Sequence, residues 1–235
     1  MENINVIHLC GGIGNQLFQY AFGRVQKECG VNVRYNPEWY NKTQEPPRPY
    51  RLNKFCVDVN ISPPCDMSMV RETKYSLGYL RRENCYFVGY WQYLDYYKNI
   101  IPILQEEFKI RKEFHTEEFL QLREQIITKS SVSLHVRRQD YIGRAGFGVL
   151  SIRYYFKALS KVEGDVYVFS DDMPWCMNIF KEEYFGHKFI FVDLEDYQDF
   201  ELMRSCDIHI LANSTFSWWA AILDDNPDKI SFSWF

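Results

Sequence analysis

The stretch SVSLHVRRQDY (Ser131–Tyr141) decides the fold: a short alternating apolar run ends in two arginines, and a glycine-bearing loop follows it. After the loop comes an amphipathic segment, SIRYYFKALSKV (Ser151–Val162). The same rhythm then repeats. DVYVFS (Asp165–Ser170) precedes a helix from Pro174, and KFIFVD (Lys188–Asp193) precedes YQDFELMRSC (Tyr197–Cys206). DIHIL (Asp207–Leu211) leads into FSWWAAIL (Phe216–Leu223), and KISFS (Lys229–Ser233) closes the run. Strands separated by helices of this length build βαβ units on a parallel sheet.

Working outward, the N-terminal half opens on a strand, INVIHLC (Ile4–Cys10), that stops at Gly11-Gly12. Within LCGGIGNQLFQYAFGR, the residues Leu17, Phe18, Ala21, Phe22 and Val25 form one face of a helix ending near Gly30. VNVRY (Val31–Tyr35) alternates as a second strand. The middle is less regular, with proline-rich loops QEPPRPYRL and ISPPCD and an aromatic strand and turn, YFVGYWQYLDYY. Two helices follow, NIIPILQEEFKI and TEEFLQLREQIITK. In the second, Thr116 is placed to cap, and Glu117 and Glu118 favour the N-terminal dipole. The boundary is expected near Thr128–Ser130, giving two Rossmann-like α/β domains, 1–128 and 129–235, with a cleft between them.

A net charge of −4 over 235 residues excludes the broad basic face of a nucleic-acid binder, so any anion site is a local cluster. Aromatic residues are abundant, and most are expected in the core. Seven scattered cysteines with no C-x-x-C spacing predict free thiols in a reducing compartment, with neither a disulfide framework nor a zinc site. The N-terminus carries no signal-peptide pattern, and no apolar run reaches the ~18 residues of a membrane span. The expected location is cytoplasmic.

Open α/β sheets bind ligands at the carboxyl ends of their strands, and four segments lie there. In the first, Gly12, Gly14 and Asn15 open a helix, which suits either a phosphate or an ordinary tight turn. In the second, His135 and Arg137 share one strand face, and Val136 and Arg138 the other. Either Asp140 pairs with an arginine to hold the loop, or the arginines clamp a diphosphate, and the convergence of four segments favours the clamp. In the third, Asp171 and Asp172 end a strand just before Pro174, where one of them caps the helix. A metal there needs more carboxylates than the local sequence supplies. In the fourth, Ser214, Thr215, Phe216 and Ser217 begin a helix, as a cap or as a phosphate cradle. Upstream, Asp199 stands in a first helical turn, where it serves the dipole or accepts the N1–H and N2–H₂ of guanine. His8, His115, His187 and His209 have no metal-like spacing, and no Ser/His/Asp or Cys/His arrangement is discernible, so a nucleophilic hydrolase is not expected.

Taken together, GGIGNQLFQYAFGR, GYWQ (Gly89–Gln92), HVRRQDY, FSDD and ANSTFSWWAAIL resemble the family 11 glycosyltransferases, the α-1,2-fucosyltransferases, from the first strand to about Asp228. The resemblance implies a GT-B-type architecture and an inverting transfer of L-fucose from GDP-β-L-fucose to a galactose 2-hydroxyl. It implies no cofactor and no metal. The implied partners are GDP-fucose and a galactose-terminated glycan, with peripheral contact to lipid-linked acceptors and no nucleic acid. His135 and Arg137 would belong to the donor site, with Arg137 on the diphosphate. Arg138 and Asp171 would stand beside them, Asp199 would read guanine, and Ser214 to Ser217 would hold phosphate. Gly12, Gly14 and Asn15 would approach from the N-terminal half. Asp140 is the candidate base; Ala145 stands where related fucosyltransferases of other families carry a glutamate. Alternatives are another GDP-sugar donor, or an inactive protein that binds a nucleotide sugar or a glycan. Family members usually continue past the strand KISFS, and no motif marks the stretch from Asn36 to Leu80, where acceptor choice is expected to lie.

Overall fold

A computed structural model describes residues 3–42, 48–63, 66–144, 146, 148–181 and 186–233. The chain forms two compact units, Met1–Lys109 and Ile110–Phe235. The break comes earlier than the expected 128/129. Helix α3 (Glu117–Thr128) belongs to the second unit because Phe119 and Ile126 are fully buried there. The Gln198 amide also donates to the Phe114 carbonyl at 2.9 Å and to Thr116 Oγ1 at 3.1 Å. Thr116 caps α3 as its position predicts, accepting from the Phe119 N–H at 3.2 Å.

The first unit carries β1 (Ile4–His8), α1 (Ile13–Glu28), β2 (Asn32–Asn36), β3 (Ser68–Arg71), β4 (Cys85–Val88) and α2 (Ile101–Glu107). Its sheet runs β2-β1-β4-β3, with every pair parallel. Strand β3 carries no sequence signal of its own. It is a short edge strand in which only Val70 is buried, so it has no apolar alternation to read. Aromatic rings fill the core as composition suggests: Phe22 stacks on Trp91 with centroids 4.0 Å apart, and Tyr20 stacks on Tyr35 at 5.4 Å.

In the second unit, β5 (Ser131–Val136), α4 (Ile152–Leu159), β6 (Asp165–Ser170) and α5 (Met173–Ile179) come first. β7 (Phe189–Val192), α6 (Asp196–Arg204), β8 (Ile208–Ile210), α7 (Thr215–Leu223) and β9 (Ile230–Phe232) follow. The sheet order is β7-β6-β5-β8-β9, all parallel. That is the doubly wound order 3-2-1-4-5, with β5 as its first and central strand. All six residues of β5 are buried. Val132, Leu134 and Val136 pack with Tyr155, Leu159, Cys176 and Phe180.

In the second unit the connections from β5 and β8 leave in opposite directions, and in the first the carboxyl ends of the paired strands β1 and β4 lie side by side. Ligands of open α/β sheets sit outside the carboxyl ends of the strands at such switch points.

Candidate active site

At the second unit's switch point, the loop after β5 and the turn after β8 carry most of the predicted residues. The strand alternation holds and separates the two arginines. Arg138 faces α5, where its Nε lies 2.9 Å from Asp172 and its guanidinium stacks 4.0 Å above the Trp175 ring. These contacts anchor Arg138 against α5. Asp172 caps α5 as well, accepting from the Trp175 N–H at 3.3 Å. Asp171 holds the loop, accepting from the backbone N–H groups of Arg138 at 2.8 Å and Gln139 at 3.1 Å.

Arg137 lies on the other face. Its Nε is 2.8 Å from Asp140 and 3.2 Å from Asp171, and the guanidinium stands 5.8 Å from the Tyr141 ring centroid. Both readings of this segment are therefore present in one place: Arg137 does hold the loop through an ion pair with Asp140, and it does so through Nε. Burial opposes its charge, but pairing with the Asp140 and Asp171 carboxylates wins and holds the guanidinium above its ordinary value. Ala145 lies outside the described residues.

His135 is buried, its ring 5.5 Å from that of Phe216, and its Nδ1 has no hydrogen-bond partner among the described residues. Burial, with Arg137 nearby, pushes its pKa down to about 3, so the imidazole is neutral at physiological pH.

The turn after β8 is fixed from both sides. The Tyr141 hydroxyl donates to the Asn213 carbonyl at 3.0 Å, and the Tyr154 hydroxyl donates to the Leu211 carbonyl at 2.8 Å. Ser214 caps α7, accepting from the Phe216 N–H at 3.3 Å. Ser217 is fully buried and its hydroxyl donates inward, to Ala212 at 3.3 Å and Ser214 at 3.4 Å. Its side chain thus locks the turn. Thr215 and Phe216 begin the helix, and Phe216 packs on Phe200 at 5.5 Å.

Asp199 stands in the first turn of α6, and its Oδ1 accepts from the Leu194 N–H at 3.2 Å. Burial outweighs that bond, and Asp193, Asp196 and Glu195 add repulsion, so its pKa rises to about 8.

The carboxyl ends of β1 and β4 gather the glycine-rich loop and GYWQ. Gly11 has φ +81°, and a Cβ on it would come within 2.6 Å of Asn15 Nδ2. The helix's buried amides act as pins. Gln16 donates to the Gly11 carbonyl at 3.1 Å and to Pro49 at 3.0 Å, and accepts from the Arg51 N–H at 2.8 Å. Gln19 bridges the two strand ends, accepting from the Cys10 N–H at 2.9 Å and donating to the Gly89 carbonyl at 3.2 Å. Gly12 caps α1, Gly14 is buried in its first turn, and Asn15 accepts from the Gln92 amide at 3.0 Å.

Two features escaped sequence reading. A Ser/His/Asp arrangement exists after all: Ser133 Oγ lies 3.0 Å from His209 Nδ1, and His209 Nε2 lies 3.0 Å from Asp224 Oδ2. All three are buried, and Ser133 and His209 are cross-strand neighbours within β5 and β8, so the chain of bonds is structural. The other is Glu72, whose carboxylate holds the GYWQ corner. Among the described residues, no group of three or more His, Cys, Asp or Glu is placed to hold a metal, and the six described cysteines are free. Cys65 lies outside the described residues. Among them, too, no helix is long and apolar enough to cross a membrane.

Comparison with known proteins agrees with this geometry. The family model Glycosyl transferase family 11 matches residues 67–231. An α-1,2-colitosyltransferase of Escherichia coli is 28% identical, covering 94% of this chain and 88% of its own. The O-antigen biosynthesis glycosyltransferase WbnK of Escherichia coli is 29% identical over 97% of this chain and 93% of its own. Among solved structures, the fucosyltransferase NodZ from Bradyrhizobium superposes with a TM-score of 0.59 at 11% identity, covering 95% of this chain and 93% of NodZ. POFUT1 in complex with GDP-fucose superposes at 0.54, with 11% identity and coverage of 98% and 97%. The fold is α/β of the GT-B type, and the chain belongs to glycosyltransferase family 11 as a glycosyltransferase.

Proposed function

We propose that the chain transfers L-fucose from GDP-β-L-fucose to the 2-hydroxyl of a galactoside, with inversion and without a metal. The observation that carries this reading is Arg137, braced through Nε by Asp140 and Asp171 at the switch point beside the N-terminus of α7. Departure of GDP places negative charge on the diphosphate, and a fixed guanidinium with helix N–H donors stabilises it where no metal does. The sugar passes through an oxocarbenium-like transition state, so leaving-group stabilisation sets the rate. Asp140 serves here as the partner that orients Arg137. The GDP-fucose donor is favoured by the shared fold of NodZ, crystals of which were soaked with GDP-fucose, and of POFUT1, solved with it. A galactoside acceptor on a lipid carrier and a cytoplasmic setting, consistent with the free thiols, complete the proposal.

Colitose is L-fucose without its 3-hydroxyl, and the colitosyltransferase relative makes it the specific rival sugar. Initial rates with GDP-fucose, GDP-colitose and GDP-mannose, each with a galactoside and the product linkage read by NMR, test the donor. Fastest transfer from GDP-fucose into an α-1,2 product is the expected result; a preference for either rival replaces the donor. Undiminished turnover in a chelator is expected, and loss of activity there overturns the metal-free mechanism.

A proton-linked test concerns Asp199. Accepting the two guanine donors requires the ionised carboxylate, whereas the group keeps its proton below a pKa of about 8. Binding then expels a proton, and GDP-fucose affinity falls by about tenfold per pH unit well below that value. Calorimetry from pH 6 to 8 should show this slope in the wild type and a weak, flat affinity in Asp199→Asn. A flat wild-type profile would remove Asp199 from guanine recognition.

A further inference from the structure

The GYWQ corner after β4 is built at a backbone cost. Trp91 has φ +59°, a left-handed conformation that is strained for a bulky residue. It is nonetheless fully buried, with its indole stacked on Phe22. Three sides hold it. Glu72 Oε2 accepts from the N–H groups of both Tyr90 and Trp91 at 2.8 Å. The Tyr97 hydroxyl donates to the Trp91 carbonyl at 3.3 Å, and Gln19 takes the Gly89 carbonyl. Gly89 itself has no room for a side chain, since a Cβ there would lie 2.5 Å from Glu72 Cβ.

What the strained corner achieves is presentation. By turning Trp91 inward it leaves its two neighbours facing out. Tyr90 is 48% exposed, and Gln92 is exposed with its amide donating to Asn15 Oδ1 at 3.0 Å. The Tyr90 phenol keeps its proton, since burial of part of the ring and the neighbouring Cys10 thiol both push it up. An exposed ring beside a pair of amides offers a flat apolar face together with donors and acceptors for hydroxyls, a surface that suits a neutral pyranose.

We propose that Tyr90, with the Gln92–Asn15 amide pair, is the subsite for the neutral terminal sugar of the acceptor, with the sugar face stacked on the Tyr90 ring and its hydroxyls read by the amides. The proposal rests on the glycan-acceptor part of the function above, and two measurements keep their outcomes apart. Saturation-transfer NMR with lactose alone reads the subsite without any donor, and initial rates with GDP-fucose read the reaction. Tyr90→Ala should lose the lactose signal and raise the acceptor KM by roughly tenfold. Donor KM, donor hydrolysis without acceptor, and Tm should stay unchanged. Tyr90→Phe should keep the wild-type signal, and Gln92→Ala should weaken it. Absence of a lactose signal with the wild type, or an equal signal with Tyr90→Ala, overturns the subsite. A Tyr90-dependent lactose signal without turnover of GDP-fucose supports the subsite and overturns the donor instead.

Discussion

Arg137→Ala lowers turnover by about 10²- to 10³-fold, the loss expected when one fixed donor to a developing negative charge is removed. The charge on the diphosphate grows between ground state and transition state, so the loss should fall mainly on kcat, with a smaller rise in donor KM. The environment sharpens the effect. Arg137 neutralises Asp140 at 2.8 Å and Asp171 at 3.2 Å, and truncation leaves both carboxylates beside the departing GDP. Arg137→Lys should recover only part of the rate, because an ammonium supplies charge without the planar fork that can hold Asp140 and Asp171 through Nε while its ends take the diphosphate. The check is steady-state kinetics with Tm recorded alongside. Turnover near the wild-type value in a folded Arg137→Ala would confine Arg137 to holding its loop.

His209→Ala should cost about 3 kcal/mol of stability, by stripping a buried carboxylate and a buried hydroxyl of their shared partner. Ser133 and His209 join β5 to β8, and Asp224 is the C-cap of α7, so one imidazole ties together the elements that carry Arg137 and the Ser214 turn. Asp224 keeps one bond, from the Asn226 N–H at 2.9 Å, but loses its only described side-chain partner. The fall in Tm should be roughly 6–12 °C for a chain of this size. His209→Gln, which keeps a donor and an acceptor, should lose less. An unchanged Tm in His209→Ala would show that the triad's bonds carry no net stability.

Much of this site was legible because its signals are local. The period-two pattern of SVSLHVRR puts His135 and Arg137 on one face whatever surrounds them, and Thr116, Asp172 and Ser214 announce helix starts by residue type and spacing. Other features depend on partners distant in sequence, which no window reveals. His209 meets Ser133 across 76 positions, and Glu72 reaches the GYWQ corner across 18 and 19. The unequal fates of Arg137 and Arg138 needed the location of α5, since adjacent guanidinium groups look alike until one of them meets Asp172 and Trp175. The compact units divide earlier than 128/129 for a similar reason. A helix joins whichever unit buries its apolar face, and the Phe114–Thr116 segment leading into α3 finds its partners in Tyr197 and Gln198, far downstream.

Asp199 shows where residue type alone misleads. A carboxylate in a first helical turn reads as ionised and dipole-stabilised, yet desolvation dominates and the group holds its proton to a pKa of about 8. Its charge is a quantity that ligand binding has to change, which is why the pH slope of donor affinity is informative.

The claim beneath all of these is that the leaving nucleoside diphosphate is neutralised at the second unit's switch point. A crystal structure of the protein with GDP tests it most directly. The account predicts the diphosphate within about 3 Å of the Arg137 terminal nitrogens and of N–H groups at the start of α7, with Nε still on Asp140. A diphosphate bound at any other place, with the Arg137 guanidinium turned away from it, would contradict the account.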